Sequence, residues 1–263
     1  MGPEYLLASL LPSHNERLLM DQNILVFIVV GFIAEMIDGA LGMAYGVTST
    51  SFLLSLGLSP ATASASVHAS EIFTTATSGF FHLRFGNVQK KLVLRLLIPG
   101  VIGGVAGAYI LTEMPMGLIT PIVAGYLLLM GMIIVYKAFR PTKAEPRTPL
   151  IPLGLIGGFF DAIGGGGWGP IVTSTLVARG NQPRYVVGSV NLAEFFVTIS
   201  QSLTFVMTIG LLHWKVILGL MIGGVSAAPF AALVAKRLPV KPFMILVGVL
   251  IILVSIRNLY LSL

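Results

Sequence analysis

The chain has 263 residues, of which 56% are hydrophobic and 10% charged, with a formal charge of +6. A soluble domain carries about 25% charge, so the composition excludes one and defines an all-α polytopic membrane protein. The absence of cysteine excludes disulfides, thiolate metal sites and cysteine nucleophiles, and the basic residues are grouped in short loops, which excludes a nucleic-acid surface.

Residues 1–23 hold Glu4, Glu16 and Asp21 against Arg17. They lack the basic start of a secretory signal and read as an N-terminal extramembrane arm. Apolar segments follow at about 24–37, 44–56, 61–83, 92–111 and 116–138, then at about 151–163, 168–179, 184–208, 214–235 and 240–260. Between the sets lies RPTKAEPRTP (140–149), whose prolines and mixed charge mark a cytoplasmic linker. Repeat 1 is therefore placed at 24–139 and repeat 2 at 150–263.

The two sets are copies. At an offset of 123, Asp38 matches Asp161, Gly42 matches Gly165, Gly46 matches Gly169, Gly57 matches Gly180, Pro60 matches Pro183 and Glu71 matches Glu194. At an offset of 124, Gly86 matches Gly210, Lys91 matches Lys215 and Gly100 matches Gly224. Each copy opens on a broken helix. The second reads IGGFFDAIGGGGWG (156–169), in which four consecutive glycines end one half-helix near Ile163; Pro170 suits the first turn of the next. The first reads IDGALGMAYG around Asp38.

If the half-helices form a re-entrant hairpin, each copy crosses the membrane three more times and the second copy is inverted. That arrangement places Arg84, Lys90, Lys91, Arg95, Lys137, Arg140, Lys143, Arg147, Arg179, Arg184, Lys236, Arg237 and Lys241 on one side, against Arg17, Lys215 and Arg257 on the other. Cytoplasmic loops collect Lys and Arg, so the expected fold is two inverted repeats with both termini outside. Half-helices of about 14 residues reach about 21 Å, short of a 30 Å hydrocarbon core.

A helix N-terminus presents unpaired N–H groups and a partial positive charge, and so attracts anions. Two such ends should meet near the midplane. The candidate substrate contacts there are Met43, Ala44 and Gly46 with the hydroxyls of Thr48 and Ser49, and Gly166, Gly167, Trp168 and Gly169 with Thr173. The bland alternative is a packing kink. The glycine run is not a phosphate loop, because no Lys-Ser/Thr pair follows.

A polar stripe runs along segment 61–83: Ser64, His68, Glu71, Thr75, Ser78 and His82 share one helical face, and Asn191, Glu194, Thr198 and Gln201 repeat it. Such a face must point into the bundle; hydrogen-bond glue between helices is the alternative. His68 and Asn191 are added to the substrate-binding set. Asp38, Asp161, Glu71 and Glu194 are paired acids at membrane depth, where no Lys or Arg is found. They must be protonated, hydrogen-bonded or paired with an ion or substrate, and they suit a proton relay. Glu35 has glycine as its counterpart and ranks lower. No zinc-binding helix or nucleophile elbow occurs, so no enzyme, cofactor or metal site is expected.

On IGGFFDAIGGGGWGPIVTSTLVARG (156–180), Pro183, the helix around Asn191–Ser200 and IGGVSAAPFAALVAKRLP (222–239), the chain resembles the TauE/SafE sulfite/sulfonate transporter family. The first copy departs from that pattern, with fewer glycines at its break. The resemblance implies an inner-membrane transporter of sulfite, an organosulfonate or a related anion. The resulting expectation is proton-coupled export of a small sulfur-containing anion by alternating access. A passive anion channel and a sodium-coupled uptake carrier are the alternatives. The expected partners are the anion, protons or sodium, and lipid, with no nucleic acid; the residues leave an oligomer open.

Overall fold

The computed structural model describes residues 23–139, 148–210, 213–234 and 240–262. The N-terminal arm up to residue 22 and most of the linker lie outside the described residues. Those described form helices without a strand.

Helix α1 (Ile24–Leu41) is capped by Asn23, whose side chain accepts the Leu25 N–H at 3.0 Å. It ends at Gly42, in the left-handed region at φ 68°, where the Gly42 N–H returns to Asp38 O. After Met43 and Ala44 comes α2 (Tyr45–Ser55). Ser59 caps α3 (Pro60–Arg84) with Pro60 in its first turn; α4 (Lys90–Glu113) and α5 (Met116–Ala138) complete the half. The second half repeats this order. Helix α6 (Leu150–Gly164) ends at Gly165, φ 61°, and a π-helical turn (Gly169–Thr173) leads into α7 (Ser174–Ala178). Then come α8 (Pro183–Thr208), α9 (Trp214–Val234) and α10 (Val240–Ser262).

The expected break at 163–169 falls where the glycines place it. The first half-helix is longer than the apolar pattern indicates: α1 runs 18 residues, through Asp38. Its helix runs on through Gly39 and stops at Gly42, which takes the left-handed turn. At about 27 Å it is, among the described residues, one of six helices long and apolar enough to cross a membrane, with α4, α5, α8, α9 and α10. Helix α3 has the length for a crossing, but its polar stripe keeps it out of that set.

The long helices pair in the same way when the halves are exchanged. α1 lies on α9 as α6 lies on α4; α3 meets α9 as α8 meets α4; α3 pairs with α8 and α5 with α10. Glycines set the closest of these contacts. A Cβ at Gly103 would run into Leu155 O, and one at Gly223 into Ile28 O, the small-residue packing that holds helices together in lipid. The molecule is polar inside and apolar outside. His68, Gln201, Asp161 and Glu71 are buried, while Ile98 and Leu203 are 65% and 59% exposed. That distribution suits hydrocarbon as solvent and would be costly in water.

Candidate functional site

The two breaks meet back to back. A Cβ on Gly46 would lie 2.8 Å from Gly165 O, and one on Gly169 would lie 2.5 Å from Met43 Cα. Thr50 Oγ1 donates to Gly165 O at 2.5 Å and Tyr126 OH to Gly166 O at 3.3 Å. Gly166 has φ 150° and its Cα faces the Gly46–Val47 backbone. Glycine is needed there for both conformation and space.

Asp161 lies at the centre of the second break. Its Oδ1 accepts the Gly167 N–H at 2.7 Å and the Trp168 N–H at 2.9 Å. Its Oδ2 accepts Gln201 Nε2 at 2.9 Å and faces His68 Nε2 at 3.2 Å. The Gly166 N–H goes to the Asp161 main-chain oxygen at 3.0 Å. N–H groups expected to face a substrate anion are thus held by a carboxylate of the chain itself. Trp168 is locked beside it: fully buried, its Nε1 donates to Val190 O, and its ring fills the space over Gly100.

His68 Nδ1 lies 2.8 Å from Ser64 O, a carbonyl that can only accept, so Nδ1 carries a proton. Its Nε2 faces Asp161 Oδ2, and that contact also needs a proton. Asp161 already accepts three other N–H donors, the bonding of an ionised carboxylate. One proton lies between Nε2 and Oδ2, in a contact of 3.2 Å closed off from solvent. Charge-assisted hydrogen bonds contribute roughly 1.5–3 kcal/mol each, against several kcal/mol lost when a carboxylate leaves water; four donors offset that loss. The sequence reading found no cation among these acids because it counted Lys and Arg. The structure places His68, a base which that count left out, against Asp161 and Glu71.

The remaining predicted residues are placed as follows. Glu71 Oε2 is 3.9 Å from His68 Nε2 and has no hydrogen-bond partner among the described residues. Asp38 accepts the Tyr45 N–H at 3.2 Å. Glu194 is buried within Coulombic reach of Asp38, Glu71 and Asp161, and no described hydrogen bond reaches its carboxyl. Asn191 Nδ2 donates to Ser78 Oγ at 2.9 Å. Met43 and Ala44 form the turn against Gly169 and are buried, Ala44 at φ 112°. The hydroxyls of Thr48, Ser49 and Thr173 are buried without a described partner.

Three residues outside the predicted site belong to it. Gln201 was legible as a member of the polar stripe. Tyr126 carried no sequence signal: it sits in the apolar middle of α5. Lys137, at the end of α5, donates from Nζ to Ser174 Oγ at 2.5 Å. Its position in a basic loop gave no hint that it turns back toward the second break.

A bundle with apolar exterior, buried ionisable centre and two apposed helix breaks is a multi-pass membrane protein built as transporters are. The family model of the sulfite exporter TauE/SafE matches residues 27–258. The chain belongs to that family. It is similar to the probable membrane transporter protein YtnM of Bacillus subtilis (strain 168), 44% identical over 249 residues, which span 90% of this chain and 83% of that protein. No solved structure matches the chain.

Proposed function

We propose that the protein is a secondary transporter that exports a small sulfur-containing oxyanion, sulfite or an organosulfonate, coupled to protons by alternating access between two inverted repeats. The observation that carries this reading is the apposition of two helix breaks beside Asp38 and Asp161, enclosed by the buried carboxyls of Glu71 and Glu194. Irregular backbone at membrane depth is tolerated where it is buried or lines a pathway, and paired breaks between repeats are where transporters hold their substrates. The candidate substrate contacts are Met43, Ala44, Gly46, Thr48, Ser49, Gly166, Gly167, Trp168, Gly169 and Thr173, with His68 and Asn191 flanking them. The partnerless hydroxyls of Thr48, Ser49 and Thr173 support that placement, because an oxyanion would satisfy them.

Counterflow in proteoliposomes tests the mechanism. A carrier loaded with unlabelled sulfite accumulates labelled sulfite transiently, whereas a channel only equilibrates it. A sodium requirement would replace the proton. Topology is tested with single cysteines in this cysteine-free chain. Lys90 and Trp214 are repeat counterparts, and both are exposed. Inverted repeats place them on opposite sides, so an impermeant thiol reagent labels Trp214→Cys and spares Lys90→Cys in intact cells. Labelling of both from outside rejects the inversion.

A further inference from the structure

We infer that Asp161 is a tethered competitor of the transported anion, and that His68 delivers the proton that removes it. The inference rests on the proton-coupled reading above and assigns its chemistry to named atoms. A small oxyanion needs converging donors, and here they exist as a built cradle: the N–H groups of Gly167 and Trp168, Gln201 Nε2 and His68 Nε2. Both side chains are fully buried. The group now in the cradle is the Asp161 carboxylate, itself an oxyanion of one negative charge. An incoming anion and ionised Asp161 cannot share these donors.

One proton resolves the competition. The His68 Nε2–H bond breaks, an O–H bond forms on Asp161 Oδ2, and the electron pair stays on Nε2. The ion pair becomes a neutral acid beside a neutral imidazole, and Asp161 Oδ1 loses its hold on the two backbone N–H groups. A second proton, drawn from water through Glu71 Oε2, then re-forms the Nε2–H bond. The imidazolium now faces the bound anion instead of Asp161. The balance is one proton taken up for each univalent anion bound.

The surroundings favour this stoichiometry. Besides His68 and Glu71 from α3, Asp161 faces Asp38 from α1, Tyr126 from α5 and Glu194 from α8 within Coulombic reach, with Glu35 acting on Glu71 and Glu194. Helix α4 meets α6 through Gly100, Gly103 and Gly107. Among the described residues no Lys or Arg pairs with these carboxyls, and Lys137 is bonded to Ser174, so anion entry without proton uptake would set like charges together.

The test uses the full chain with Trp214→Phe, which leaves Trp168 as the single tryptophan and its fluorescence as the reporter. Methanesulfonate is the probe, because it does not titrate between pH 5 and 9. In W214F its affinity should fall with rising pH, by up to tenfold per unit for one proton taken up. In W214F/D161N it should be flat with pH and at least as tight at pH 8. An undiminished pH slope in W214F/D161N overturns the assignment. The infrared difference spectrum on binding, taken on a chain that keeps Asp161, makes the test independent of that variant's folding. Aspartate occurs only at 21, 38 and 161, so carbon-13 aspartate in a D21N/D38N background isolates Asp161. A protonated-carboxyl band shifted by the label is expected. If binding weakens with pH and no labelled band appears, this inference fails and proton coupling stands. If affinity is independent of pH in W214F as well, the proton-coupled reading itself fails.

Discussion

The two breaks come from matching sequence, yet they are bonded differently. At the second, Asp161 collects two backbone N–H groups, Gln201 and His68. At the first, Asp38 receives the Tyr45 N–H alone among the described residues, the counterpart of the Trp168 contact. Asn191 and Ser78 stand where His68 and Gln201 have their repeat partners, and they bond to each other instead of to Asp38. Thr50 ties down Gly165 O, while its counterpart Thr173, beside Gly42, has no described partner. One half holds its carboxylate in a finished cradle of four donors; the other gives its aspartate one. A duplicated motif has thus diverged into a fully bonded site and a sparsely bonded one, and the contrast is open to mutation.

The largest effect is expected where the two breaks touch. Gly166→Ala puts a Cβ into the Gly46–Val47 backbone at φ 150°, which should cost several kcal/mol and leave little folded protein by thermal unfolding in detergent. Gly42→Ala, at φ 68° but facing the Thr173 side chain 3.0 Å away, should be milder. Equal losses would remove the distinction between the breaks.

Next come the aspartates. Asp161→Asn should abolish the fall of anion affinity with rising pH, whereas Asp38→Asn should keep most of it. The sign follows from charge: deprotonation adds negative charge to a site that must accept an anion. A smaller effect separates the glutamates. Glu71→Gln, beside His68, should slow proton-coupled counterflow by about tenfold, the scale of one well-placed proton-transfer group at the low end. Glu194→Gln should slow it less. Matching pH profiles for the two would reduce both to structural roles. The smallest change is expected at Lys137. Lys137→Met should weaken anion binding about two- to fourfold, as befits a half-buried charge worth at most about 1 kcal/mol, and Lys137→Arg should restore most of it.

Much of this was legible in the residues. The break at 163–169, the pairing of Asp38 with Asp161 and the buried stripe on α3 and α8 follow from glycine, proline and helical period. The length of α1 was not, because Gly39 reads as an end signal and the helix tolerates it. Nor was the occupant of the cradle. That the Gly167 and Trp168 N–H groups turn to Asp161 depends on a loop that folds back six and seven residues along the chain, and spacing alone does not determine it. The pairing of His68 with Asp161 depends on a contact across 93 positions of sequence. Tyr126 and Lys137 gain their roles from tertiary contact alone.

The central claim is that anion binding and proton uptake are one event at Asp161. Calorimetric titration of the wild-type chain with methanesulfonate, in two buffers of different ionisation enthalpy at one pH, counts the protons directly. The account predicts close to one proton taken up per anion bound near neutral pH, falling to near zero in Asp161→Asn. Binding with no proton uptake by the wild-type chain would contradict it.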